Sequence, residues 1–162
     1  MKTEVKITGL DGVLNTLRSL PPEVVSKRGG PVKLALAKGA RQLLGEAKGN
    51  LQRSITVGGD QSTGLLLQNV VATRGKPPSG GKGERYLVRV RRKTYSDRTG
   101  KPVTTHKTAH LLEYGSEKQA ATPWLRPAVQ SKGAEVIQTV RDELLRRIDL
   151  VVKKLAKMNG GR

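Results

Sequence analysis

Ala109-His110-Leu111-Leu112-Glu113-Tyr114-Gly115-Ser116, followed by Ala120-Ala121-Thr122-Pro123-Trp124-Leu125-Arg126-Pro127-Ala128, is the stretch on which the fold turns. It predicts a short helix over Thr108–Tyr114, stopped by Gly115. A glycine just past a helix takes the left-handed conformation without a Cβ penalty. Ser116–Thr122 is a polar linker. Pro123–Pro127 reads as an extended, rigid lead-in, because a residue before proline is biased away from the helical region. Pro127 suits the first turn of a long helix reaching about Met158 and ended by Asn159-Gly160-Gly161. Along it Val129, Val136, Val140, Leu144, Ile148, Val151 and Leu155 recur at steps of three, four or seven, which is one apolar stripe. Trp124 is the sole Trp of a Phe-free chain and is expected to anchor a core or an interface. Arg126 can hold a carboxylate or a helix C-terminus bidentately, with Glu113 one candidate partner.

Upstream, Glu4–Thr8 alternates polar and apolar residues as a short strand does. Asp11 can cap a helix over Gly12–Leu20, which Pro21-Pro22 ends. Val32–Lys48 reads as a helix with Leu34, Ala37, Leu43, Leu44 and Ala47 facing inward. Gly39 and Gly45 weaken it by about 1 kcal/mol each relative to Ala. Strand-like runs follow at Ser54–Val57, Leu65–Thr73 and Arg85–Arg92. In the last, Tyr86, Val88 and Val90 share one face, and Leu87, Arg89 and Arg91 the other. Gly58-Gly59-Asp60 and Gly75–Gly83 are loops by composition, and Thr94–Thr105 reads as a polar loop. The expectation is one domain over residues 1–162, α+β in class. It has a small antiparallel sheet, packed helices, a long C-terminal helix and flexible basic loops near 74–84 and 94–107.

The chain has 162 residues, three Tyr, one Trp and no Phe, so Leu, Val, Ile and Ala must form its core. These bury less area each than aromatics, which predicts stabilisation by assembly with further copies of the chain. With no Cys, disulfides and thiolate metal sites are excluded. The opening Met1–Val5 lacks the apolar run of a signal peptide, and no stretch reaches membrane-span length, so an intracellular chain without a membrane partner is expected. The net charge is +18. Half of the excess lies in residues 74–108, with 11 basic and 2 acidic side chains, while residues 109–131 are neutral. Arg85, Arg89, Arg91, Arg92 and Lys93, with Arg98 and Lys101, are candidate contacts for duplex phosphates or for an acidic protein. Protection of a sheet edge is a third reading. Base stacking is poorly served, since only Tyr86 and Tyr95 accompany these charges.

No catalytic constellation stands out, and a non-enzymatic chain with neither cofactor nor metal is expected. His106, His110 and Glu113 stand at i, i+4 and i+7, as zinc ligands on one helix face must. However, Lys107 replaces the glutamate of H-E-x-x-H and would repel a cation, so surface histidines are expected. Gly80-Gly81-Lys82-Gly83 lacks the spacing of a phosphate-binding loop.

The 109–128 segment resembles the head–tail joining family of siphophages, also called neck or tail-completion proteins. There a helix ending in E-Y-G precedes a short polar linker, P-[FW]-L-R-P-A and a long C-terminal helix. Ile7-Thr8-Gly9-Leu10-Asp11 with Leu14 and Leu17 is similar to that family's opening strand and helix, and Arg53–Val57 to its first central strand. The chain departs in having Lys48-Gly49-Asn50-Leu51-Gln52 where members often carry P-x-x-T-G-x-L, and in longer basic loops over Arg74–Lys107. The resemblance implies a structural subunit of a homo-oligomeric ring, a hexamer, joining the head connector to the tail tube with DNA passing through the lumen. Its neighbours would be head-closure, tail-terminator and tail-tube proteins, and its location the virion neck or tail after assembly in the host cytoplasm. Glu113, Tyr114, Gly115, Pro123, Trp124, Leu125, Arg126 and Pro127 are its candidate packing and subunit-interface residues. The alternatives are a tail-terminator ring and, from another class, a free-standing basic protein that binds nucleic acid regardless of sequence.

Overall fold

The computed structural model of the chain describes residues 30–57, 62–76 and 83–159. In order, the elements are α1 (Pro31–Val57), α2 (Leu65–Asn69), β1 (Val70–Gly75), β2 (Arg85–Val90), β3 (Thr94–Ser96), β4 (Pro102–Thr104), α3 (Thr105–Tyr114) and α4 (Leu125–Asn159). This is the expected α+β layout, with a long C-terminal helix. Among the described residues the strands form two antiparallel hairpins, β1–β2 and β3–β4, rather than the single small sheet that the sequence predicts. The expected strand over Glu4–Thr8 and helix over Gly12–Leu20 lie outside the described residues, as do the Gly58–Asp60 loop and most of the Gly75–Gly83 loop.

The frame is the antiparallel pair of α1 and α4. At one end Ala35 packs with Leu144 and Ile148, flanked by Val32 and Val140. At the other, Ala47 and Leu51 join Ala128, Trp124, Leu66, Val70, Ala109 and Leu112 in the main core. Small residues bring the helices close. Gly39 is buried, and a Cβ built on it would run into Val140. Glu143, buried on α4, ties them electrostatically: its carboxylate accepts from Lys38 Nζ at 2.8 Å and from Arg146 Nη2 at 2.7 Å. Arg147 Nε lies 2.6 Å from the same group but is not aligned as a hydrogen-bond donor. The Arg146 and Lys38 hydrogen bonds hold the Glu143 carboxyl down at about 2. The expected apolar stripe of α4 is real at Val136, Val140, Leu144, Ile148 and Val151, but Val129 is exposed. The Leu155 side chain is outside what is described.

Three local expectations are corrected. Ser54–Val57 is the last turn of α1, not a strand. Its β-branched residues are held helical because Ile55 packs on the core and the Ser54 hydroxyl donates to the Thr122 carbonyl at 3.2 Å. Leu65–Asn69 is one helical turn, and the strand starts only at Val70. The Asn69 amide donates back to the Leu65 carbonyl at 2.8 Å, which closes that turn. Thr94–Thr105 is the β3–β4 hairpin and its entry into α3, not a loop. Asp97 organises its turn, with Oδ1 accepting from Thr99 N, Thr99 Oγ1 and Lys101 N at 2.7–2.9 Å. These three donors, led by the Thr99 hydroxyl, also hold the Asp97 carboxyl below the usual aspartate range.

Candidate functional site

α3 begins at Thr105, three residues earlier than the spacing predicts, because Thr104 is its N-cap and accepts from the Lys107 amide. It ends at Gly115, whose N–H donates to Leu111 O at 2.8 Å and whose φ is +77°. A Cβ there would stand 2.8 Å from Gln119 O and Ala121 N, so glycine is required both for conformation and for space. The linker folds back at once: Ser116 and Gln119 pair, and the Thr122 N–H donates to Leu112 O at 2.8 Å. The Asn50 amide of α1 donates to Trp124 O at 3.1 Å.

This route delivers the start of α4 onto the end of α3. The expected extended lead-in stops at Trp124, and the helix already begins at Leu125. The reason is Glu113. Its buried carboxylate accepts from Trp124 N and Leu125 N, both at 2.9 Å, and from Arg126 N at 3.0 Å. The first N–H groups of a helix have no partner of their own, and a negative charge is stabilised beside them. Pro127 has no N–H to satisfy, so one carboxylate from another helix completes the cap. Burial raises the Glu113 pKa, but the amides of Leu125, Trp124 and Arg126 and the Arg126 side chain outweigh it, so the carboxyl lies below the usual glutamate range.

Arg126 reaches back over the joint. Its Nε donates to Glu113 Oε1 at 2.9 Å and its Nη2 to the Glu113 carbonyl at 2.7 Å. The guanidinium lies 4.9 Å from the centroid of the Tyr114 ring, which in turn stacks on His110 at 4.7 Å. Trp124 is buried in the core, and its indole N–H donates to Ala109 O at 3.4 Å. The candidate residues thus divide. Glu113, Gly115, Trp124, Leu125, Pro127 and the backbone of Arg126 make the joint itself, whereas the side chains of Tyr114, Pro123 and Arg126 are exposed around it.

The histidines and Glu113 do not converge. His106 Nε2 donates to Val90 O at 2.7 Å, His110 stacks on Tyr114, and the Glu113 oxygens face α4. Among the described residues no group of three His, Asp or Glu side chains is placed to hold a metal ion. No described helix is long and apolar enough to cross a membrane. A cavity of about 300 Å³ opens between Ile55, Leu66, Tyr95, Asp97 and Leu111, which no sequence pattern signalled.

The basic candidates lie on β2, on the connection that follows it and in the β3–β4 turn. Val88 and Val90 pack on the core while Arg85 and Arg89 stand exposed, as the alternation predicts. Arg91, Arg92, Lys93, Arg98 and Lys101 are also exposed. The backbone beneath Arg91–Lys93 is pinned by Thr105, a residue the sequence reading passed over. The fully buried Thr105 hydroxyl donates to Arg91 O at 2.6 Å and accepts from Lys93 N at 2.9 Å. Comparison with protein-family models, curated proteins and solved structures finds no match for this chain.

Proposed function

We propose that the chain is a structural ring subunit of the head–tail joint of a tailed bacteriophage, a neck or tail-completion protein, and not an enzyme. The observation that carries this reading is the Glu113 joint. The residues on which the family resemblance rests are the ones that clasp α3 to α4 through four bonds to one carboxylate. A clasp of this kind fixes the angle of a long helix without offering a reactive group, which suits a scaffold. Exposed Tyr114 and Arg126, stacked on each other, supply the kind of rigid aromatic and guanidinium surface that protein interfaces favour. The Phe-free core and the exposed Leu145, Leu150 and Val152 of α4 favour assembly in the same way. In this reading the chain forms a homo-oligomeric ring, a hexamer, in the virion between head-closure and tail-tube proteins.

Negative-stain images of the full chain, alone and with the head connector and tail-tube proteins of the phage that encodes it, test the proposal. Closed rings of constant subunit number are expected in at least the mixed sample. A chain that remains monomeric in both, and joins neither partner on a sizing column, sinks it.

A further inference from the structure

The exposed large apolar residues and the densest run of exposed cations lie on different elements of the described residues. Tyr114, Val129, Leu145, Leu150 and Val152, the exposed large apolar residues, all lie on the end of α3 or on α4. Between Arg85 and Lys107 there are eight cations and a single acid, Asp97. All eight cations are exposed, and none joins an ion pair among the described residues. Asp97, whose carboxylate accepts from Thr99 and from the Lys101 amide within its own turn, offsets only one of these eight charges.

The centre of this basic run, the ridge Arg85–Lys107, is tied down by hydrogen bonds. Arg85 and Arg89 sit on β2, with Arg89 paired opposite Val71 and its Nε donating to Thr73 Oγ1 at 3.0 Å. The Arg91 N–H donates to Asn69 O at 2.8 Å, and Thr105 then holds both Arg91 and Lys93 by the backbone. The cations are therefore displayed on an ordered support, which lowers the entropy lost when they are engaged.

The partner follows from what the ridge lacks. A protein interface centres on a desolvated apolar or aromatic anchor, and no exposed large apolar residue lies between Arg85 and Lys107. Contact with phosphates needs no such anchor. Single-strand binders present aromatic faces for stacking. Here Tyr86 and Tyr95 are half-buried, and the Tyr95 hydroxyl is bonded to that of Thr108 at 2.5 Å. We propose that the ridge Arg85–Lys107 binds the phosphate backbone of duplex DNA without regard to base sequence. The binding is read from the ridge alone and holds whether or not the chain assembles as a ring.

Fluorescence anisotropy of the full chain with two short duplexes of unrelated sequence, across a salt series, tests this. Both duplexes are expected to bind alike, with Kd about 10⁻⁴–10⁻⁶ M near physiological salt. The triple substitution Arg91→Gln, Arg92→Gln, Lys93→Gln is expected to weaken binding about tenfold or more and to reduce the slope of log K against log salt by about 2–3. Removing the same charge from exposed Lys153, Lys154 and Lys157 of α4 is expected to change neither appreciably. The pair Arg85→Gln, Arg89→Gln gives the same direction of effect should the triple variant lose helicity. Equal losses from the ridge and from α4, no binding at low salt, or preference for the single strand would overturn the proposal. So would displacement of the duplex by polyglutamate at matched charge, which would assign the ridge to an acidic protein.

Discussion

Glu113 and Arg126 are joined twice across the α3–α4 joint, side chain to side chain at 2.9 Å and guanidinium to backbone carbonyl at 2.7 Å. The two contacts do different work. The Arg126 head is half-exposed, so its charge attraction is screened and worth little alone. The buried Glu113 carboxylate, by contrast, serves three backbone amides that have no other partner. Glu113→Ala is therefore expected to cost about 3 kcal/mol, since it leaves orphan N–H groups at a helix start. Arg126→Ala should cost about 1 kcal/mol. Urea midpoints with unchanged m-values check both, and equal costs would show that the ion pair, not the cap, holds the joint.

The same carboxylate makes the fold acid-sensitive. Glu113 and Glu143 both have folded-state pKa values below the ordinary 4.5, with Glu143 at about 2. Protons thus bind the unfolded chain more readily than the folded one. The stability these groups contribute is complete above about pH 4.5 and is lost as pH falls toward about 2. The urea midpoint of the wild type should fall through this window. Glu113→Gln combined with Glu143→Gln should start lower at pH 7 and fall less. A double variant with the parental pH profile would place the acid sensitivity elsewhere.

The joint was legible in sequence because its parts are chemically extreme: a glycine stop, two prolines, one Trp and an Arg with Glu113 among its candidate partners. What could not be read was the direction of the cap. Sequence rules look for an N-cap at the residue next to the helix it serves, whereas Glu113 caps α4 from twelve residues before its start and sets that start at Leu125. The β-branched Ser54–Val57 run was misread for a related reason. Its propensity is for strand, but Ile55 and Ser54 gain tertiary partners only as a helical turn. Leu65–Asn69 failed differently, because a short apolar run carries no period that separates a single helical turn from a strand.

Thr105 looks like an ordinary first-turn residue, yet its hydroxyl serves both Arg91 and Lys93 while fully buried. Thr105→Val keeps the shape and removes both bonds. It is expected to cost about 1–3 kcal/mol and to speed amide exchange at Lys93. Thr105→Ser should restore most of the protection. Unchanged exchange in the valine variant would mean that the β2–β3 connection is held by strand pairing alone.

Gly39 and Gly45 separate two roles that look identical in the sequence of one helix. Both sit within α1, and both reduce its intrinsic helicity by about 1 kcal/mol relative to Ala. A Cβ at Gly45 meets nothing within 4 Å, so Gly45→Ala should stabilise the chain by about 0.5–1 kcal/mol. A Cβ at Gly39 would collide with Val140 Cγ2 and press on Val136 Cγ1 at 3.3 Å. Valine is stiff at χ1 and cannot swing aside, so the helices must separate, at a cost of about 1–3 kcal/mol that exceeds the gain in helicity. Gly39→Ala should therefore destabilise, and adding Val140→Ala should recover part of the loss by removing the methyl in the way. Thermal midpoints of the three variants decide the matter. A Gly39→Ala chain as stable as Gly45→Ala would contradict the close crossing of α1 and α4, and with it the frame on which the Glu113 joint is mounted.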